Sequence, residues 1–425
     1  MKKIVHGIAV ILLIASLLLS GCGAADTAGP ASAEAPAKET AAAEPEETEA
    51  VPAETEESEA PAEEAATEQV LDYEAMYAAI DPDEEVMTVN GRSVTWREYY
   101  YWLSYYAEYI QYYMDMYSYY GMTYRWSDPG DSEGTITLAD SVVIDAENHV
   151  RMICMIEEFA EENGITLSAE EEKELDDALQ ADIIDFCGED ATVEDFEKAL
   201  EEENLTLELY KKFNRASMLY RAGFRWIYGS NGEKVSDEDA LRFLEENGYM
   251  HATHILFMTV DYETREALDD ETVEAKKRQA EETAAELQAI SDPAKLVKRF
   301  SELKSEYCED TGKFQYPDGY VFLSGKMVEE FENAYLALKD YQVSEPVLSP
   351  YGYHILLRLP PDPDAVIEYS SEGTALSARA EYANNAYTEL MQGRDDDAQI
   401  VRSENLRNFS LLDFVSEVSA EETAE

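Results

Sequence analysis

Tyr-Gly-Tyr-His-Ile-Leu-Leu-Arg (351–358) and Ala-Thr-His-Ile-Leu-Phe (252–257) both alternate β-branched and aromatic residues as strands do, and each carries a histidine among apolar neighbours. Three of the chain's five histidines, His251, His254 and His354, lie in the stretch these segments bound. Between them the spacing predicts a long charged helix over 271–290 and a second over 293–307. Asp-Thr-Gly (310–312) follows, and Ser-Gly-Lys-Met-Val-Glu-Glu-Phe-Glu-Asn (324–333) opens a third helix. Met327 and Phe331 are four apart, so a helix puts them on one face. His251 and His254 are three apart, so a strand points them to opposite faces. That argues against a metal pair and leaves His251 a bystander.

The same stretch resembles the parvulin peptidyl-prolyl isomerases. The matching pieces stand in register: His-Ile-Leu (254–256), Phe-Ser-Glu-Leu (300–303), Tyr-Cys-Glu-Asp-Thr-Gly (307–312), Gly-Lys-Met (325–327), Phe-Glu-Asn-Ala (331–334), Gln-Val-Ser-Glu-Pro-Val (342–347) and Tyr-Gly-Tyr-His-Ile-Leu (351–356). None is specific alone; together they are. The resemblance implies that His254 and His354 are the paired central histidines. Asp310 matches the position, held by Asp or Cys, beside the twisting carbonyl. Met327 and Phe331 match the proline-ring pocket, with Tyr351 and Phe322 as further substrate contacts. It implies no cofactor and no metal. Cys308 is not the family's cysteine and reads as a passive buried thiol.

Prolyl isomerisation breaks no covalent bond. The task is to lower a rotation barrier of ~18–20 kcal/mol set by amide resonance. Moving the amide out of water helps, because the planar ground state is more dipolar than the twisted transition state. Fixed polar groups that favour the twisted form supply the rest.

The chain departs from the family at Lys-Phe-Gln-Tyr-Pro-Asp-Gly-Tyr-Val-Phe (313–322), where parvulins carry a Gly-Gly-Asp-Leu-Gly-Trp-Phe-like turn. The pocket leucine is replaced near Gly319 or Tyr320, which leaves open a reshaped or weakened pocket. The acidic loop 261–271 lacks a basic cluster, which argues against preference for a phosphorylated residue before proline.

At the start of the chain, Lys2 and Lys3 precede an apolar run from Ile4 to Leu19 and then Leu-Ser-Gly-Cys (19–22), the pattern of a secretory signal. Leu-Ser-Gly-Cys resembles a lipobox, which implies cleavage before Cys22 and lipidation of its sulfur; two acyl chains anchor stably. From 23 to 68 almost every residue is Ala, Glu, Pro, Thr or Ser, and Lys38 is the one basic side chain. Such a segment cannot bury enough apolar surface to fold, and reads as an extended tether.

A net charge of −60 argues against nucleic acid as a partner. With Cys22 lipidated, Cys154, Cys187 and Cys308 remain, an odd set without Cys-x-x-Cys spacing, which argues against a disulfide framework or a zinc site.

Met-Thr-Val-Asn-Gly-Arg-Ser-Val-Thr (87–95) reads as a hairpin on its Asn-Gly turn, and Thr95 with Glu98 opens a helix over 96–120 crowded with tyrosines. Tyrosines at such steps form a packed stripe or an aromatic surface for client segments. Further helices are predicted at 137–163, 168–186, 192–203, 206–228 and 236–247. Residues 128–140 faintly suggest a calcium loop, but Pro129 at the first-ligand position has no side-chain oxygen. After Pro-Pro-Asp-Pro-Asp (360–364) come a helix over 375–392, with a stripe of Ala378, Tyr382, Ala386 and Leu390, a further helical stretch over 399–414, and an acidic tail.

The order of hairpin, helices and capped helix resembles PrsA-like and SurA-like secretion foldases. The implied fold is α+β: a mostly helical N-terminal chaperone-like domain completed by a C-terminal helix, with an inserted parvulin domain of a small antiparallel sheet flanked by helices. The expected divisions are a signal peptide (1–21), a tether (22–69), a helical domain (70–248), the isomerase domain (249–360), a C-terminal helical segment packing on the N-terminal domain (361–414) and an acidic tail (415–425). The expected function is a lipid-anchored foldase on the extracytoplasmic face of the cell membrane, in a Gram-positive envelope. It would isomerise X–Pro bonds in newly exported or unfolded proteins; a homodimer is left open. The alternative is a non-catalytic chaperone that uses the parvulin domain as a peptide-binding module.

Overall fold

The structure is a computed structural model that describes residues 67–369 and 374–419. The expected signal peptide, Cys22 and most of the expected tether lie outside the described residues. The chain forms two compact units, one running to Tyr220 and resuming at Met391, the other spanning Arg221–Leu390.

In the first unit, helices Trp96–Tyr119 and Leu138–Asn163 pack along their length. Trp102, Tyr99 and Leu103 on the one and Val142, Ala146, Val150 and Ile153 on the other are fully buried. Each helix starts where its sequence says. Thr95 caps the first by accepting the Glu98 N–H, and Thr137 with Asp140 forms a complete capping box on the second. Capping boxes also start Ala169–Cys187 and Val193–Glu202. Asn90 and Gly91 take positive φ in the turn between strands Glu85–Val89 and Arg92–Thr95.

The end of the chain differs from the expected helical segment. Residues 399–414 form a strand (Ile400–Arg402), a short helix (Glu404–Asn408) and a 3₁₀ turn (Leu411–Phe414). The β-branched Ile400 and Val401 extend the hairpin sheet by pairing with Val89 and Thr88, and Arg402 Nε locks the strand to Glu147 at 2.6 Å. Val415–Ser419 pairs antiparallel with Thr67–Leu71, so the first described residues belong to a two-stranded ribbon.

The second unit carries a four-stranded antiparallel sheet, ordered Tyr320–Phe322, Met250–Met258, Gly352–Arg358, Val347–Ser349. Because strand side chains alternate, the sheet has two different faces. Ile255, Phe257, Ile355 and Leu357 pack with Ala280, Ala284 and Leu287 of helix Asp270–Gln288 and Leu296, Phe300 and Leu303 of helix Pro293–Tyr307. On the opposite face Ala252 and Leu356 pack with Phe322, Phe331 and Tyr335. The two central strands are registered His254 to Leu356 and Leu256 to His354, which sets both histidines diagonally on this second face.

Met327 does not share a helix with Phe331. The helix is Glu329–Ala337, and the Glu332 carboxylate accepts from Ser324 Oγ and the Gly325 and Met327 N–H groups, holding 324–327 as a turn. Met327 still joins the apolar cluster around Phe331.

Helix Ala378–Asp396 starts later than expected, because Ala375–Ser377 pairs as a strand with Val366–Tyr369. Its buried row is Ala383, Tyr387 and Met391, whereas Leu390 is 36% exposed. Within the second unit, Ala378 clusters with Leu244 and Val321, and Tyr387 packs edge-on to Phe224. The two compact units divide after Tyr220 and after Leu390.

Candidate active site

His254, Asp310, Phe331 and His354 converge on the second face of the four-stranded sheet. His254 Nε2 lies 2.9 Å from Asp310 Oδ2. Asp310 heads a 3₁₀ turn (Thr311–Phe314) directly after the helix that ends at Tyr307, and its Oδ1 accepts the Gly312 N–H at 2.9 Å. The ring of His354 stands edge-on to that of His254, with centroids 5.2 Å apart, and its Nε2 is 2.7 Å from Ser349 Oγ. Phe331 closes the group, 5.3 Å from the His254 ring and 5.8 Å from that of His354.

Two residues that sequence reasoning missed complete the site. Tyr320 donates its hydroxyl to the same Asp310 Oδ2, at 2.7 Å. Ser349 braces His354 and accepts the Tyr351 N–H at 3.1 Å. The signal for Tyr320 was its place at the substituted leucine; nothing in the local sequence marks Ser349.

The pocket candidates separate. Met327 is half-buried beside Phe331. Tyr351 is 40% exposed, its ring under the Arg265 guanidinium at 5.4 Å. Phe322 lies behind Phe331 and Tyr335, 5.7 Å from each ring, and is buried in that core. Cys308 is buried and accepts the Leu256 N–H on its sulfur at 3.4 Å. His251 lies off the site, its Nδ1 2.9 Å from the Pro360 carbonyl.

The electrostatics are asymmetric. Burial works against charge on His254, but Asp310 and the Cys308 thiol, through hydrogen bonding and charge, together outweigh it and raise its pKa above the ordinary value. Burial would raise Asp310; the hydrogen bonds from His254, Tyr320 and the Gly312 N–H hold it well below the usual carboxylate range instead. His354, buried and beside His254, is pushed down to about 3 and stays neutral. The site thus sets a fixed anion, a histidine biased toward charge and a neutral histidine against an aromatic wall. Among the described residues no group of three or more His, Cys, Asp or Glu could hold a metal ion, and no helix is long and apolar enough to cross a membrane.

This sheet, with its two histidines and a carboxylate on one face, defines a parvulin-type domain. Residues 254–359 match the rotamase family model described as a PPIC-type PPIASE domain. The chain is homologous to PrsA foldases: it is 30% identical over 238 residues to the foldase protein PrsA of Staphylococcus aureus (strain Newman), covering 53% of this chain and 65% of that protein. The match therefore spans just under two thirds of the relative. Among solved structures, PrsA from Bacillus subtilis is 21% identical with a TM-score of 0.25, over 64% of this chain and 91% of its own. The foldase PrsA from Lactococcus lactis is 14% identical with a TM-score of 0.26, over 76% and 97%.

Proposed function

We propose that the chain is a foldase that catalyses cis–trans isomerisation of X–Pro bonds in exported proteins. The observation that carries this reading is the pairing of His254 with Asp310, 2.9 Å apart, on the face that also holds His354 and Phe331. The proline ring would lodge against Met327 and Phe331, with Tyr351 at the rim. The amide would leave bulk water on binding, which weakens the advantage of its dipolar planar form. Asp310 is a fixed negative charge for the amide as it twists, and His254 and His354 hold the floor rigid, so the site favours the twisted geometry. No proton needs to move.

Lipidation at Cys22, which would tether the units to the extracytoplasmic membrane face, rests on Leu-Ser-Gly-Cys and the apolar run before it. The test of foldase activity is a protein whose refolding is limited by an X–Pro bond. The full chain should accelerate its slow phase; an unchanged slow phase with excess folded chain would overturn the reading.

A second reading, a holdase that does not need isomerisation, is favoured by one observation. Tyr109, Tyr112, Tyr119 and Tyr120, at the far end of helix Trp96–Tyr119, are 41%, 54%, 86% and 70% exposed. Such an aromatic surface suits unfolded apolar segments. Replacing Tyr112, Tyr119 and Tyr120 by Ser should weaken suppression of client aggregation; unchanged suppression would reject this surface.

A further inference from the structure

The turn 313–322, where the chain departs from the parvulin pattern, has its own fastenings. Lys304, a buried lysine, donates to the Tyr316 and Pro317 carbonyls at 2.9 and 3.0 Å. Lys313 donates to the Cys308 carbonyl at 2.6 Å. Gly319, at φ +118°, brings the backbone so close to the first histidine strand that an added Cβ would stand 2.6 Å from the Ala252 carbonyl oxygen. The next residue, Tyr320, then pairs with Ala252, and the ring of Tyr316 packs on it at 4.9 Å. All of this delivers one atom. The Tyr320 hydroxyl reaches Asp310 Oδ2, and a Cβ at Gly312 would collide with that hydroxyl.

On the reading that this is an isomerase site, we propose that Tyr320 is a positioning residue. Its hydroxyl and His254 Nε2 pin Asp310 Oδ2 while the Gly312 N–H pins Oδ1, fixing the carboxylate's orientation beside the bound X–Pro amide. Three donors on two oxygens leave the carboxylate no free rotation. The apolar wall that a leucine gives other parvulins is supplied by the Tyr320 ring, 5.6 Å from that of His254. The divergent turn is therefore a second way to build the site, not a loss of it.

The test uses the full chain with isotope-labelled histidines and the Tyr320→Phe variant, which keeps the ring and removes the donor. In this variant kcat should fall about tenfold with KM within about twofold. The His254 titration midpoint should also move to lower pH, because the carboxylate swings out of its place. A wild-type midpoint with wild-type kcat overturns the proposal. So does a midpoint that moves up, which reports a carboxylate still in place and more basic. Gly312→Ala should act in the same direction, and the double variant should be no worse than the poorer single, as expected for one shared contact. If Gly312→Ala fails to fold, Tyr320→Phe decides alone. Should the wild type show no isomerase activity, the functional reading fails, and the direction of the His254 midpoint still decides the role of Tyr320.

Discussion

His254 Nε2 and Asp310 Oδ2 are 2.9 Å apart, and each moves the other toward charge: His254 titrates above its ordinary value and Asp310 well below its own. Asp310 contributes above its unfolded value, about 3.9, and loses that contribution as pH falls through its folded value. His254 contributes fully below its unfolded value, about 6.5, and loses it as pH rises through its folded value. The pair is therefore worth most between about pH 4 and 6.5. In thermal melts across that range, Asp310→Asn should show its largest deficit there and a smaller one at pH 8. A deficit independent of pH would contradict the ion-pair reading.

Lys304 should matter beyond its own contacts. Its buried ammonium holds two carbonyls of the 313–319 turn, and burial already pulls its pKa down. Lys304→Met removes both charge-assisted hydrogen bonds, at a cost of about 1.5–3 kcal/mol each at most. Urea unfolding should show the loss of stability, and kcat should fall as Tyr320 is released. Full activity in a destabilised variant would separate the turn from the site.

Glu98 and Lys212 form a largely buried pair at 2.6 Å in the first unit. Burial raises Glu98 even so, with Lys212 opposing. Removing Glu98 leaves Lys212 with only the nearby Glu157 to offset its charge, so Glu98→Ala should cost up to about 3–5 kcal/mol. Glu98→Leu combined with Lys212→Met should recover most of that loss. A double variant as weak as the single would mean that the pair itself, not the stranded charge, carries the stability.

His149 is fully buried between a Trp102 ring at 3.4 Å and the Tyr106 hydroxyl at 3.0 Å, and burial pushes it down to about 3. A histidine depressed in the folded state contributes stability above about pH 6.5 that is lost as pH falls toward its folded value. His149→Leu should cost about 1–3 kcal/mol at pH 7 through the orphaned Tyr106 hydroxyl. It should also flatten the acid side of the stability profile, read by denaturant melts at pH 4 and pH 7. An acid limb as steep as the wild type's would assign that limb to other groups.

Much of the site could be read from the chain because its signals are local. Period-two alternation places His254 and His354 on strands, and Asp-Thr-Gly stands in register with the flanking motifs. The helix starts were equally legible, since Thr95, Thr137, Ser168 and Thr192 act on residues three positions away. What escaped depends on path. Whether Tyr320 reaches Asp310 is decided by where Gly319 lets the backbone run, and Ser349 meets His354 only because an edge strand folds back on Gly352. Periodicity puts Met327 on a helix because the capture of the 324–327 turn by Glu332 is invisible to it. The ending from 399 onward reads as helical for a similar reason: Ile400–Arg402 is a strand through its pairing with Glu85–Val89, a partner some three hundred residues earlier in the chain.

A His254–Asp310–His354 face that lowers the barrier to X–Pro rotation must do so on a bare peptide bond. Uncatalysed conversion takes ~10–100 s at 25 °C, slow enough to follow in a tetrapeptide. The full chain should accelerate cis-to-trans conversion of an X–Pro tetrapeptide in proportion to its concentration, and Asp310→Ala, folded by circular dichroism, should lose about tenfold or more of that rate. Conversion at the uncatalysed rate in the presence of folded wild-type chain, or an Asp310→Ala rate equal to the wild type's, would contradict the account.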